Sequence, residues 1–344
     1  PDFVFPLNLP GIRELPGDGP LYGVKIALSP GHGLYWNETY SDWRYQRVLW
    51  YDIREDTVNA EIMRYLKAAL QNQGATVIQL RELDLKARTG ISGYPAWQEA
   101  SRQYAIAQGL PSWIFNGGSN NYNSDIRTRP YMANYFGADI LISLHNNGWN
   151  GTLSGTETYW DTDNHPLSYT LSRAVHNSII NTIRAEHDPN WIDRGIKASD
   201  SGYGEINYAQ MPAILVELAF MDHPLDNAYL HLESFKLLAA NAITQGICDF
   251  FGASCQENAI TLPLVLETPT LTPSYGNGMC DSGWYRFPNQ RGQYAYLALN
   301  MTKEDQISHQ AFWLPELPVS GQYRLEAFIP AHKTVDWSCP ELSL

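Results

Sequence analysis

The sequence predicts an α/β fold: an αβα sandwich around a mixed, partly parallel sheet, followed by a small C-terminal β-sandwich-like module. Three observations carry this. Apolar runs with a β-branched bias recur at residues 24–28, 140–144 and 214–216. A helical pattern separates the first run from another at 76–80, and a β-α-β unit of this kind requires part of the sheet to be parallel. Beyond residue 273 the apolar spacing changes to period two, as strands of a small module require. A chain of 344 residues with 44% hydrophobic content is enough for one large domain and a small one.

Residues 1–23 are rich in Pro and Gly and read as an extended N-terminal arm. The main domain is placed at 24–256. Its first strand is stopped by Pro30 and Gly31, which delivers His32 to the carboxyl end, the edge at which open α/β sheets bind ligands. A helix is predicted over 55–72, ended by Gly74, with positions 55, 58, 59 and 62 on one face, so Glu55 points along the buried stripe. An insertion from about Lys86 to Asn123 mixes a helical stretch at 96–108 with a flexible Gly/Asn run, and reads equally as a lid or as a surface insert.

The run at 140–144 repeats the first device and ends in His145. Residues 168–186 are predicted as an outer helix, with His176 and His187 solvated because no strand end positions them. The third run carries Glu217 where an uninterrupted core strand would carry Leu or Val, a costly substitution unless the charge is paired or bound to metal. A closing helix over 234–251 turns Leu237, Leu238, Ile243 and Ile247 inward. Residues 257–273 read as a linker, and 274–344 as a β-rich binding module with strands near 293–299, 310–315 and 321–330.

Each of these polar residues has an ordinary explanation alone. A strand-end histidine is commonly hydrogen-bonded structure, Glu55 would serve in a capping box with Asp52 at the N-cap, and Glu217 could meet a buried Arg. Two histidines and two glutamates converging on one sheet edge are instead the ligand set of a catalytic zinc site with an open position.

Four blocks, Ser-Pro-Gly-His32-Gly, Arg-Glu55-Asp-Thr-Val-Asn59, Ser-Leu-His145-Asn-Asn and Leu-Val-Glu217-Leu-Ala-Phe-Met, resemble the signatures of the zinc-dependent N-acetylmuramoyl-L-alanine amidases of the amidase-3 type, in the family's order. The resemblance runs from about Val24 to Cys248. It implies zinc held by His32, Glu55 and His145, with Glu217 as catalytic acid/base. The implied reaction is hydrolysis of the amide bond between N-acetylmuramic acid and L-alanine in peptidoglycan. Arg129, Glu157 and Asn146 are candidates for orienting or binding substrate. Trp36 and Trp97, with Trp43 and Trp113, lie in insertions whose aromatic faces suit sugar. The long stretch between His32 and Glu55 exceeds what the family leads one to expect. The segment Phe312-Trp-Leu-Pro-Glu-Leu-Pro-Val-Ser-Gly-Gln-Tyr-Arg324 is similar to golvesin/xanthan-lyase-type binding modules, and only about 70 residues follow the linker, so that module is expected to continue past Leu344. Two rival readings stand beside this one: a zinc carboxypeptidase acting on cell-wall peptides, which needs a basic residue for the terminal carboxylate, and a non-catalytic cell-wall binding protein.

A net charge of −13 and a pI near 5.1 argue against nucleic acid and against an anionic membrane surface as partners. No segment approaches a membrane span, and the opening Pro1-Asp-Phe-Val-Phe-Pro carries no export signal. Sequence proximity favours pairing Cys248 with Cys255 and Cys280 with Cys339, against the alternative of four free thiols. Paired cysteines, abundant Tyr, Trp and Asn and only 17% charged residues suit an exported, carbohydrate-facing protein. A monomer acting outside the cytoplasm is expected.

Overall fold

A computed structural model describes residues 19–255 except 164, 200 and 201, together with the backbone of four short strands farther along. The chain divides into two compact units, Pro1–Leu262 and Pro263–Leu344, and the division falls inside the stretch predicted as a linker.

The first unit begins with strand β1 (Lys25–Pro30) and continues into two small hairpins, β2 (Leu34–Asn37) with β3 (Asp42–Tyr45) and β4 (Leu49–Trp50) with β5 (Ile53–Arg54). Helix α1 (Glu55–Asn72) and strand β6 (Thr76–Gln79) complete the β-α-β unit, with β1 and β6 parallel. Three short helices follow, α2 (Ser101–Ala107), α3 (Ser112–Phe115) and α4 (Asn121–Phe136), then strands β7 (Ile140–Asn147) and β8 (Thr156–Asp161). Helix α5 (Ser168–Glu186), strand β9 (Asp193–Ser199), helix α6 (Gly204–Asn207), strand β10 (Ala213–Phe220) and helices α7 (Pro224–His231) and α8 (Glu233–Phe251) finish the unit. The sheet has six strands in the order β6-β1-β7-β10-β8-β9, with β8 antiparallel to β10 and every other pairing parallel.

Successive side chains on a strand point to opposite faces, and this alternation divides the interior in two. Ile26, Leu28, Ile140, Ile142, Leu144, Ile214, Val216 and Leu218 enter one apolar cluster with residues of α1, α5 and α8. Ala27, Leu141, Ala213 and Leu215 enter the other, with residues of α2, α3, α4 and α6. At the carboxyl end of the sheet the second face turns polar, at Ser29, Ser143, His145 and Glu217. All four are buried.

Several details differ from the sequence expectation. Residues 19–23 form a turn rather than an extended arm: Leu21 is buried and its amide donates to the Gln73 carbonyl at the end of α1. Asp52 does not cap α1, because the helix starts at Glu55 with Arg54 as N-cap. The insertion is not one helix but a short 3₁₀ turn at Ala96–Gln98 followed by α2 and α3, and Tyr104, Ala105 and Ile114 anchor it in the second apolar cluster. It is a packing layer against α4. His176 is buried, not solvated, its ring nitrogens facing Thr158 Oγ1 at 3.0 Å and Asp193 Oδ1 at 2.9 Å. On α8 the inward face is Phe235, Ala239, Ile243 and Ile247, while Leu237 and Leu238 are only partly buried. A disulfide joins Cys248 to Cys255; Cys280 and Cys339 lie outside the described residues.

In the second unit, β12 (Gly283–Pro288) pairs antiparallel with β13 (Tyr294–Leu299), and β11 (Thr270–Leu271) with β14 (Ala311–Phe312). The strand expected at 321–330 lies outside the described residues.

Candidate metal centre

β1 ends in Ser29-Pro30-Gly31-His32, and the turn that presents His32 is held by two fully buried arginines. Arg129 donates to the Pro30 carbonyl at 2.6 Å and to the His32 carbonyl at 2.8 Å. Arg81 donates to the carbonyls of Gly31 at 3.0 Å and His32 at 3.1 Å. Burial and the neighbouring Arg129 push the Arg81 guanidinium down to about 10, still charged at neutral pH, and its donors are spent on main-chain oxygens. This grip offsets an unfavourable backbone: His32 has φ 61°, a left-handed conformation that costs a non-glycine residue about 1 kcal/mol or more.

β1 and β7 run side by side in register, with Pro30 opposite Leu144, so His145 emerges beside the His32 turn. The first turn of α1 brings Glu55 to the same edge. There His32 Nε2 lies 3.1 Å from Glu55 Oε1, His145 Nδ1 lies 2.9 Å from that oxygen, and the two nitrogens are 3.1 Å apart. Donors bound tetrahedrally to zinc at about 2.0–2.2 Å stand roughly 3.3 Å from one another, so this triangle of two imidazoles and a carboxylate fits a small divalent cation. Among the described residues this is the one cluster of metal-ligating side chains with that compactness.

Glu55 is held from several sides. The Asn146 amide donates to Oε1 at 3.1 Å, Arg47 Nε lies 3.4 Å from Oε2, and Asn59, one turn along α1, is 3.4 Å from Oε1. Burial alone would raise its pKa; His32 and His145 outweigh this and hold the carboxyl well below the usual range. Burial would likewise lower His145, but Glu205 and Glu55 beside it push the imidazole up to about 10, so protons and a cation compete for its ring.

Glu217 stands opposite His145 in the parallel pairing of β10 with β7, and opposite Glu157 in the antiparallel pairing with β8. Its Oε2 is buried without a hydrogen-bond partner. Burial, aided by the negative Glu55 and Glu157, pushes its carboxyl up to about 8, against the pull of His145. A buried, uncompensated carboxyl with a free oxygen is poised to take up and release a proton near neutrality.

The other predicted residues separate into different places. Glu157 is buried and ionised within a set of partners: Arg194 Nε lies 2.9 Å from Oε2, Lys197 meets the same oxygen, and Asn147 and Tyr159 donate to Oε1. Arg129 is fully buried, its guanidinium committed to the main-chain carbonyls of the His32 turn. Asn146 is also buried, its amide donating to Asn59 Oδ1 at 2.8 Å. Trp97 packs half-buried against the first apolar cluster. Trp36 is partly exposed and packs edge-on against Trp43 across the β2–β3 hairpin. Trp113 packs against Tyr131 and Tyr135 of α4.

Four further residues are not singled out by the spacing. Glu205, on the single turn α6, faces His145 Nε2 at 3.0 Å, and Gln46 Oε1 faces His32 Nδ1 at 3.0 Å. Asp56 accepts from the amides of Gly33, Gln46 and Arg47, which fastens the hairpin insertion to α1. Trp149, on the turn after β7, is 71% exposed, and its amide is held by the buried Asp222. A spacing argument finds residues delivered by strand ends; these arrive from a hairpin insertion, the first turn of α1, an isolated helical turn and the turn after β7.

A mixed sheet sandwiched by helices, with two imidazoles and a carboxylate gathered at its carboxyl edge and an unpaired glutamate beside them, defines an α/β protein built around a candidate metallohydrolase centre. The particular family follows from comparison. The chain matches the Amidase_3 family, N-acetylmuramoyl-L-alanine amidase, over residues 26–249, and it belongs to that family. It is 31% identical over 134 residues to the uncharacterized protein YqiI of Bacillus subtilis, covering 39% of this chain and 61% of that one. It is 28% identical over 180 residues to N-acetylmuramoyl-L-alanine amidase Rv3717 of Mycobacterium tuberculosis, covering 48% of this chain and 72% of that one. Among solved structures, the N-acetylmuramoyl-L-alanine amidase from Clostridium difficile 630 aligns with 20% identity and a TM-score of 0.45, over 68% of this chain and 98% of that one. The chain thus spans less than two thirds of the length of YqiI.

Proposed function

We propose that the protein is a zinc-dependent N-acetylmuramoyl-L-alanine amidase that cleaves the bond between the lactyl group of N-acetylmuramic acid and L-alanine in peptidoglycan. The observation that carries the reading is the pairing of a compact His32, Glu55, His145 donor triangle with Glu217, whose Oε2 has no partner. Zinc held by these three side chains would supply Lewis acidity, polarising the scissile carbonyl and bringing a water's pKa down to about 7. Glu217 is placed to accept a proton from the attacking water as the water's oxygen adds to the carbonyl carbon, and to return that proton to the alanine nitrogen as the carbon–nitrogen bond breaks. Arg81 and Arg129 keep the His32 turn fixed during this exchange. Glu157, opposite Glu217, adds the negative charge that keeps the Glu217 proton affinity high.

The exposed indole of Trp149 and the partly exposed Trp36 and Trp50 offer flat apolar faces suited to sugar rings. The second unit, read as a golvesin-like module, would keep the enzyme on its polymer. The Cys248–Cys255 disulfide suits an oxidising, extracytoplasmic setting, and none of the described helices is long and apolar enough to cross a membrane. Mass spectrometry of digested peptidoglycan tests the activity. Free stem peptides with an L-alanine amino terminus and unbroken glycan strands are expected; new reducing sugar ends, or release of only carboxyl-terminal residues, would overturn the reading.

A further inference from the structure

The outer nitrogens of the two histidines are joined by a continuous chain of polar contacts that runs beneath the site. From His145 Nε2 it passes to Glu205 Oε2 at 3.0 Å, and from Glu205 Oε1 to Arg129 Nε at 3.3 Å. Arg129 Nη2 donates to Asp125 Oδ2 at 2.8 Å, Gln46 Nε2 donates to the same oxygen at 2.9 Å, and Gln46 Oε1 meets His32 Nδ1 at 3.0 Å. Glu205 also accepts from Ser143 Oγ at 2.6 Å. Arg129, Asp125 and Glu205 are all buried, and Gln46 half so.

The chain has a direction, set at Arg129: it donates to Asp125 and faces Glu205 as an ion pair whose geometry falls short of a hydrogen bond, and the two carboxylates it keeps ionised can only accept. On one side Asp125, an acceptor, requires the amino end of the Gln46 amide. The carbonyl end of that amide therefore faces His32, whose Nδ1 must carry the hydrogen. On the other side Glu205 accepts, so His145 Nε2 must carry the hydrogen. When a cation replaces the remaining proton, each imidazole turns a bare nitrogen, Nε2 on His32 and Nδ1 on His145, into the triangle with Glu55. The opposite tautomer at either ring would set hydrogen against the cation and leave an acceptor facing an acceptor.

The geometry points to Glu205 and Gln46 as positioning residues that, oriented from the single cation Arg129, hold both histidines in the tautomer and heading a metal requires. The inference rests on the metal reading of the cluster given above. It also assigns work to the hairpin insertion between His32 and Glu55: the segment after β3 carries Gln46 to the site, fastened by Asp56 through the amides of Gln46 and Arg47.

Zinc affinity, measured on the full chain by competition with a chromophoric chelator, reads this without relying on turnover. Outer partners of ligating histidines typically contribute about 10–100-fold in metal affinity, so Gln46→Leu and Glu205→Leu should each weaken zinc binding by about that factor. Glu205→Gln, which keeps an acceptor for His145, should bind more tightly than Glu205→Leu. Because Glu205→Leu strips a buried arginine of one partner and so threatens the fold itself, the half-buried Gln46→Leu, checked by circular dichroism, decides independently. If the parent chain binds one zinc tightly and folded Gln46→Leu binds it equally well, the positioning role is wrong while the metal reading stands. If the parent chain binds no zinc at all, the metal reading fails and takes this inference with it.

Discussion

Gly31 leaves room for the His145 ring: a Cβ built on Gly31 would run into the imidazole, at Cε1, Nδ1 and Nε2 alike. The need for glycine here comes from this close approach, since the Gly31 amide is already committed to the Leu144 carbonyl at 2.8 Å and the backbone cannot retreat without breaking the β1–β7 pairing. Gly31→Ala should therefore displace His145, and displacement of a reacting group by about 1 Å costs on the order of 100-fold in rate. Zinc stoichiometry and turnover should fall together. A variant that retains both would show that the ring has room to move.

Replacing Glu217 and Glu55 by Gln should separate chemistry from metal binding. Glu217→Gln keeps shape but cannot accept a proton, so turnover should fall by about 100- to 10,000-fold with zinc content unchanged. Glu55→Gln loses the anionic donor and should lose zinc along with activity under metal-limited conditions. Zinc loss in Glu217→Gln with full loading of Glu55→Gln would reverse the two roles.

A pH experiment on metal-free protein tests the buried state of Glu217. Its folded pKa, about 8, lies above the ordinary 4.5, so the folded chain binds a proton more tightly than the unfolded chain. This contribution to stability is complete below pH 4.5 and is lost as pH rises toward 8. Glu217→Gln removes the loss. Its melting temperature relative to the parent should therefore climb between pH 5 and pH 8, by about 10 °C for a domain of this size. A pH-independent difference would mean that Glu217 is not held in its protonated form.

Removing the negative charge opposite Glu217 should shift the pH–rate profile. Glu157 raises the Glu217 pKa, so Glu157→Gln should move the acid limb of the profile to lower pH. Because Arg194 and Lys197 lose their shared partner in that variant, Arg194→Ala serves as the control: it leaves Glu157 less compensated and should move the limb the other way. Coincident profiles for the three proteins would remove Glu157 from the account.

Chelation supplies the simplest measurement. Treatment with a strong chelator should abolish peptidoglycan hydrolysis, and added zinc should restore it, as expected of a site whose donors are two imidazoles and a carboxylate. Undiminished hydrolysis after verified metal removal would exclude the zinc reading.

His32, His145, Glu217 and Glu55 were all legible in the linear chain, because each is delivered by a local device. Three sit on or just past apolar runs of strand period, and the fourth opens an amphipathic helix whose stripe was visible in residues 55, 58, 59 and 62. Periodicity is a property of neighbours, and for the same reason the sheet, its parallel β-α-β unit and its ligand-binding edge could be read without coordinates. What surrounds the four residues could not. Gln46, Asp125, Arg129 and Glu205 come from a hairpin insertion, one helix and an isolated helical turn, and their partnership exists only because α4 and α6 cover the same sheet face. His176 looked solvated because its pairing with Asp193 depends on β9 lying beneath α5, and Leu237 was expected inward because helical spacing does not state where the opposing helices end. A buried polar group is committed by whichever donor or acceptor the third dimension brings within about 3 Å, and no local pattern in the chain encodes that distance.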